Sequence, residues 1–137
     1  MRHLVEEAGL ESEIEVDSAG TIAYHAGEPP DQRAQEEARK RGIRVAGRAR
    51  KWSRRDWARF DYVLAMDGEN HADLLVTAPD GAESKLRLLR SFDPESGPND
   101  PVPDPYYGGK DGFNQVIDLC EAACRGLLAH IRQEHGI

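Results

Sequence analysis

Apolar residues change their spacing several times along this chain, and each change marks an element. Met1 to Ala8 reads as the end of a helix stopped by Gly9. Residues 14–21, IEVDSAGT, alternate apolar and polar before breaking at Ser18 and Gly20, the pattern of a short strand entering a loop. The Gly- and Pro-containing stretch AYHAGEPPD, 23–31, comes next, and Asp31 is placed to cap a helix that runs through QRAQEEARKR to a stop at Gly42. Ser53 and Asp56 suggest another helix start, reaching Phe60, although Asp stands where a capping box usually holds Glu or Gln.

DYVLAMD, 61–67, is a strand-length apolar stretch that ends in an acid, residues 69–76 look helical, and KLRLLRSF, 85–92, is expected to be another strand. After a proline-rich loop, Phe113, Val116, Ile117, Cys120, Ala123, Cys124, Leu127, Leu128 and Ile131 recur at helical spacing and define a long closing helix. Strands alternating with helices predict an α/β domain with a parallel sheet. Ligands of such sheets gather beyond the carboxyl ends of the strands, which directs attention to Asp17, Ser18, Asp67 and the loop carrying Asp104.

Composition narrows the class. With 137 residues, 39% hydrophobic and 31% charged, the chain suits one soluble domain spanning 1–137. No apolar run approaches the roughly 18 residues of a membrane span, and the first ten residues do not resemble a signal peptide, so a cytoplasmic address is the default. Cys120 and Cys124 lie in the closing helix with no spacing that completes a zinc site, so a buried or half-buried pair of thiols is expected. The histidines His3, His25, His71, His130 and His135 form no ligand cluster, and no metal is expected.

The net charge of −7 conceals an asymmetry: residues 1–60 hold 12 Lys and Arg against 11 Asp and Glu, whereas 61–137 hold 6 against 14. Between Arg39 and Arg59 there are ten basic residues and one acid. That run could steer an anionic substrate, and its Trp52 and Trp57 could stack on bases, but no nucleic-acid module surrounds them and no nucleic-acid partner is expected.

Asp104 sits between two prolines and ahead of Tyr106 and Tyr107. A carboxyl held in place and partly desolvated by aromatic rings suits a general acid; an Asx turn or a helix cap accounts for the same residues. VDSAGT, HAGEPPD, FDYVLAMDGEN and above all DPYYGG before a final amphipathic helix resemble, in order and spacing, the low-molecular-weight protein tyrosine phosphatases. The resemblance implies a three-layer α/β/α fold with a twisted, four-stranded parallel sheet. It also implies hydrolysis of phosphotyrosine proteins or small aryl phosphates without metal or organic cofactor, through a phosphocysteine. On the matching positions Asp104 is the general acid and then base, Tyr24, Tyr106 and Tyr107 line the aryl pocket, and Ser18 and Asp67 support the phosphate-binding loop.

That loop, C-x-x-x-x-x-R-[ST], occurs nowhere in the 137 residues, and Gly47 stands about where relatives often have a supporting histidine. By the resemblance, the chain begins inside the first helix and lacks the central first strand. An N-terminally truncated phosphatase, inactive alone and able to self-associate through exposed sheet edges, is the expectation. The alternative is a catalytically inactive, phosphatase-like binding module. Arsenate reduction, a third candidate, is disfavoured because the two cysteines lie in the closing helix.

Overall fold

A computed structural model describes residues 1–22, 26–45, 47–103 and 109–137, the first two residues of the last stretch by backbone only. Helix α1, Arg2–Glu7, ends beside Gly9, and α2, Gln32–Lys40, starts where the Asp31 carboxylate accepts the Arg33 amide at 2.8 Å. Ser53 and Asp56 bond each other just ahead of α3, Asp56–Arg59, without a full capping box: the Asp56 carboxylate accepts the Ser53 amide at 2.8 Å, while the Ser53 hydroxyl accepts the Arg55 amide at 3.3 Å in place of that of Asp56. Strand β1, Val63–Ala65, leads into α4, Gly68–Thr77, and β2, Leu86–Leu88, is flanked by 3-10 turns at Ala82–Lys85 and Leu89–Phe92. The closing helix α5 spans Gly109–His135.

β1 and β2 pair in parallel, Val63 opposite Leu86 and Ala65 opposite Leu88. The period-two alternation of β1 sends its side chains to opposite faces. Val63 and Ala65 join Trp57, Leu74, Ala82 and Leu86 under α3 and α4. Tyr62 and Leu64 turn instead to Leu4, Leu89, Val102, Ala123, Cys124, Leu127 and Ile131, the cluster built on α1 and α5. Helices therefore cover both faces of a parallel sheet, as the α/β/α expectation required.

Two expected strands come out differently. Residues 14–21 form no ladder; only an isolated parallel bridge between Gly20 and Lys51 appears, with Gly20 donating to the Arg50 carbonyl at 2.8 Å and Trp52 donating to the Gly20 carbonyl at 2.7 Å. Alternation supplies the extended shape, but a strand exists only where a neighbour completes its hydrogen bonds. Of 85–92, only Leu86–Leu88 is strand, because the chain turns at Leu89. There the Ser91 hydroxyl donates to the Leu88 carbonyl at 2.6 Å, closing the turn locally.

The closing helix is held tightly. A Cβ at Gly126 would stand 1.9 Å from the Phe92 carbonyl oxygen, so glycine is what lets α5 approach the turn after β2. At the other end Arg41 pairs with Asp118 at 2.7 Å and bonds Asn114, fastening the end of α2 to α5.

Candidate functional site

The carboxyl end of β1 is the best-defined part of the site. Asp67 is the N-cap of α4: its Oδ1 accepts the Asn70 amide at 2.7 Å and its carbonyl accepts the His71 amide at 3.0 Å. One residue earlier, the Met66 carbonyl accepts the Val102 amide at 2.7 Å. Val102 is buried with the α5 cluster, so both its backbone and its side chain pin the loop that leads to Asp104 against the end of β1. Asp104, Tyr106, Tyr107 and Tyr24, with His25, lie outside the described residues.

A second wall comes from the segment preceding Gly20. Ser18 is exposed, and its amide donates to the Asp17 carboxylate at 2.8 Å. Between Ser18 and Asp67 no hydrogen bond forms among the described residues. Asp17 pairs with Arg50 at 3.2 Å, and the same guanidinium grips the buried Asp56 in a fork, at 3.0 and 3.1 Å. The hydrogen bond from Arg50 is the main reason the Asp56 carboxyl titrates below its ordinary value, with the Ser53 amide adding to it against the opposing effect of burial. Arg50 is correspondingly raised, Asp56 again being the first cause. This Asp17–Arg50–Asp56 link joins the 14–18 segment to α3. Sequence reasoning missed Arg50, because nothing local separates it from nine other cations in the same run.

A groove of about 360 Å³ runs beside the start of β1, away from Asp67. Ile14, Val16 and Asp17, Tyr62 and Leu64, and Leu127 and Ile131 of α5 line it. Among the described residues the amides of Glu15, Val16 and Asp17 make no hydrogen bond. The Val16 carbonyl is taken by the Arg2 guanidinium at 2.9 Å.

The remaining candidates resolve simply. Cys120 and Cys124 are free thiols packed against the α5 cluster, and burial, then the neighbouring Cys124, pushes the Cys120 thiol up to about 11. Trp52 and Trp57 pack edge to face at 5.2 Å, and the Trp57 indole donates to Thr77 at 3.3 Å, so Trp57 is a core residue and not a base-stacking platform. His135 meets the Tyr62 hydroxyl at 3.0 Å, His130 packs on Phe92, and His3 pairs with Glu7 one turn along α1. No cluster of His, Cys, Asp and Glu suited to a metal occurs among the described residues, and no helix there is long and apolar enough to cross a membrane. Gly47 has φ of +108°, a backbone that strains any L side chain, so a histidine there would need a different local conformation.

Comparison with known proteins agrees with this arrangement. Residues 1–136 match the family model described as low molecular weight phosphotyrosine protein phosphatase. The low molecular weight protein-tyrosine-phosphatase of Streptomyces coelicolor is 42% identical over 135 residues, covering 97% of this chain and 82% of that one. Among solved structures, a protein tyrosine phosphatase from Entamoeba histolytica superposes with a TM-score of 0.90 at 36% identity, covering 98% of this chain and 85% of the other. YfkJ from Bacillus subtilis superposes at 0.85 with 37% identity, covering 98% and 83%. A match that takes in both faces of the sheet, the Asp67 cap and the Val102 anchor leaves one assignment: the chain belongs to the low molecular weight phosphotyrosine protein phosphatase family.

Proposed function

We propose that this domain is the acid-supplying and substrate-binding part of a phosphotyrosine hydrolase that works through a phosphocysteine. The family match over residues 1–136, in a chain that keeps Asp104 between its prolines, carries this reading. In the first step a cysteine thiolate attacks phosphorus, the bond to the aryl oxygen breaks, and Asp104 protonates the departing phenolate. In the second, the Asp104 carboxylate takes a proton from water as that water attacks phosphorus and releases the thiolate and inorganic phosphate. Tyr24, Tyr106 and Tyr107 form the aryl pocket, while Ser18 and Asp67 steady the phosphate loop. The Val102 to Met66 hydrogen bond, which holds the residues just before Asp104 in sequence at the end of β1, supports this reading.

The nucleophile has to come from a C-x-x-x-x-x-R segment that these residues do not contain. Neither thiol of α5 can replace it: Cys120 is followed by Arg125 at the wrong spacing and is held protonated by burial, and Cys124 is buried. The groove beside β1 supports a seat for such a segment, because an extended chain there would meet the unbonded amides of Glu15 to Asp17 and the apolar wall of Leu64, Leu127 and Ile131. A second copy of the chain seated in the same groove is the self-associated form, and pocket binding without turnover is the inactive-module form.

The deciding experiment measures aryl phosphate hydrolysis by the 137 residues alone, by a version extended with a C-x-x-x-x-x-R segment, and by that version with Asp104→Asn. We expect no turnover from the first, turnover from the second, and a loss of about 100-fold or more from the third. Turnover by the 137 residues alone would overturn the requirement for an added nucleophile, and an unaffected Asp104→Asn would remove Asp104 from its role. Sedimentation of the unextended chain distinguishes monomer from self-associated form.

A further inference from the structure

The basic run from Arg39 to Arg59 is not one uniform patch. Five of its ten cations have partners: Lys40 bonds Glu37, Arg41 holds Asp118, Arg48 donates to the Gly27 carbonyl, Arg50 grips Asp56, and Arg59 pairs with Glu15. Among the described residues the side chains of Arg39, Arg44, Lys51, Arg54 and Arg55 make no hydrogen bond or ion pair. Two of these, Arg39 and Arg44, line the same cleft.

That cleft has a volume of about 540 Å³, within the range of ligand sites, and lies between α2, the prolines before it and the segment after it. Arg39 lines it from α2, one turn beyond Gln35, and Arg44 from the segment after α2. The Gln35 amide already donates to the Pro30 carbonyl at 2.7 Å, so the wall it forms is set in place. Pro29, Pro30, Ile43 and Val45 line the same cleft, the last 37% exposed although apolar. Among the described residues no carboxylate lines the cleft. The nearest acids are committed elsewhere or stand outside it: Asp31 bonds Arg33, Glu37 bonds Lys40, and Glu28 and Glu36 are on the exposed surface.

Two unpaired cations in a cleft that also holds prolines, Ile43 and Val45, on a protein of net charge −7, are complementary to an acidic occupant with an aliphatic part. We propose that this cleft binds an acidic peptide segment of a partner protein, two carboxylates meeting Arg39 and Arg44 while an aliphatic side chain between them covers Ile43, Val45 and the prolines. Arginine suits this role, since its planar fork donates two parallel hydrogen bonds to a carboxylate. The cleft would select protein partners by their acidic sequence, independently of any chemistry at Asp104.

The test is fluorescence anisotropy of short labelled peptides titrated with the 137-residue chain at about 0.1 M salt, where distant charges are screened. One peptide carries Asp and Glu around a central isoleucine, a second replaces the acids by Asn and Gln, and a labelled oligonucleotide serves as a polyanion. We expect saturable binding of the acidic peptide only, weakened about tenfold by Arg39→Glu or Arg44→Glu and more by the pair. Arg54→Glu, an equal change in charge on an unpaired cation outside the cleft, should alter affinity by less than about twofold. Equal weakening by Arg54→Glu would show a diffuse charge effect and overturn the site. So would equal binding of the neutral peptide or the oligonucleotide, or no binding of the acidic peptide. Because the readout is binding and not turnover, its failure says nothing about the hydrolase reading.

Discussion

Strand β1 has two neighbours of opposite character. On one side β2 completes a parallel ladder, and the cluster beneath it closes around Trp57, which is 2% exposed. On the other side the 14–17 segment lines a groove and joins no ladder, the amides of Glu15, Val16 and Asp17 making no hydrogen bond among the described residues. Both flanking sequences are apolar and alternating enough to be strands. What separates them is the presence of a hydrogen-bonding neighbour, which lies outside either sequence.

The comparison breaks most severely at Trp57. Trp57→Ala should cost about 3–5 kcal/mol, because it empties the centre of the closed side, and urea unfolding should show it as a large fall in midpoint. A midpoint within about 1 kcal/mol of the parent would mean that the cluster under α3 and α4 contributes little to the fold.

A smaller effect is expected where the two sides are tied together. Asp56→Asn weakens the fork from Arg50 and should cost about 1–2 kcal/mol near neutral pH, moderated because Arg50 is about a third exposed and keeps Asp17. The pH dependence has a definite sign. The folded Asp56 carboxyl is lowered, so its contribution is complete above the ordinary carboxylate value of about 4 and is lost as pH falls through the lower folded value. Parent and variant should therefore differ at pH 6 and converge toward pH 2, and a difference that grows on acidification would contradict the assignment.

The smallest contrast sharpens the comparison. Val63→Thr puts a hydroxyl among Trp57, Leu74 and Leu86 and should cost about 1–2 kcal/mol, whereas Val16→Thr, on the groove wall, should change stability by less than about 0.5 kcal/mol. Equal costs would indicate that the groove is as tightly packed as the ladder side.

These outcomes follow the line between what the sequence shows and what it does not. Local chemistry was legible: Asp31 caps its helix, Ser53 and Asp56 bond each other just ahead of α3, and most of the periodic apolar residues of α5 face one cluster. Non-local pairing was not. The alternation in 14–21 records which face is apolar but contains nothing about whether a partner strand is present. Leu89 to Phe92 continues an apolar run that suits either strand or turn, and the Ser91 to Leu88 bond settles it only once the chain has folded back. Asp67 was singled out because it follows a strand, while Arg50 required knowing that Asp17 and Asp56, 39 positions apart, end up around one guanidinium.

The two thiols of α5 give this protein a chemical silence that is useful at the bench. With Cys120 pushed up to about 11, about one molecule in ten thousand carries its thiolate at neutral pH, and Cys124 is buried beside it. Alkylating reagents should therefore leave the folded chain nearly unmarked. Any segment that seats a low-pKa cysteine in the groove would announce itself as the one fast-reacting sulfur in the sample, so covalent labelling can report assembly of the nucleophile before a single phosphate is hydrolysed.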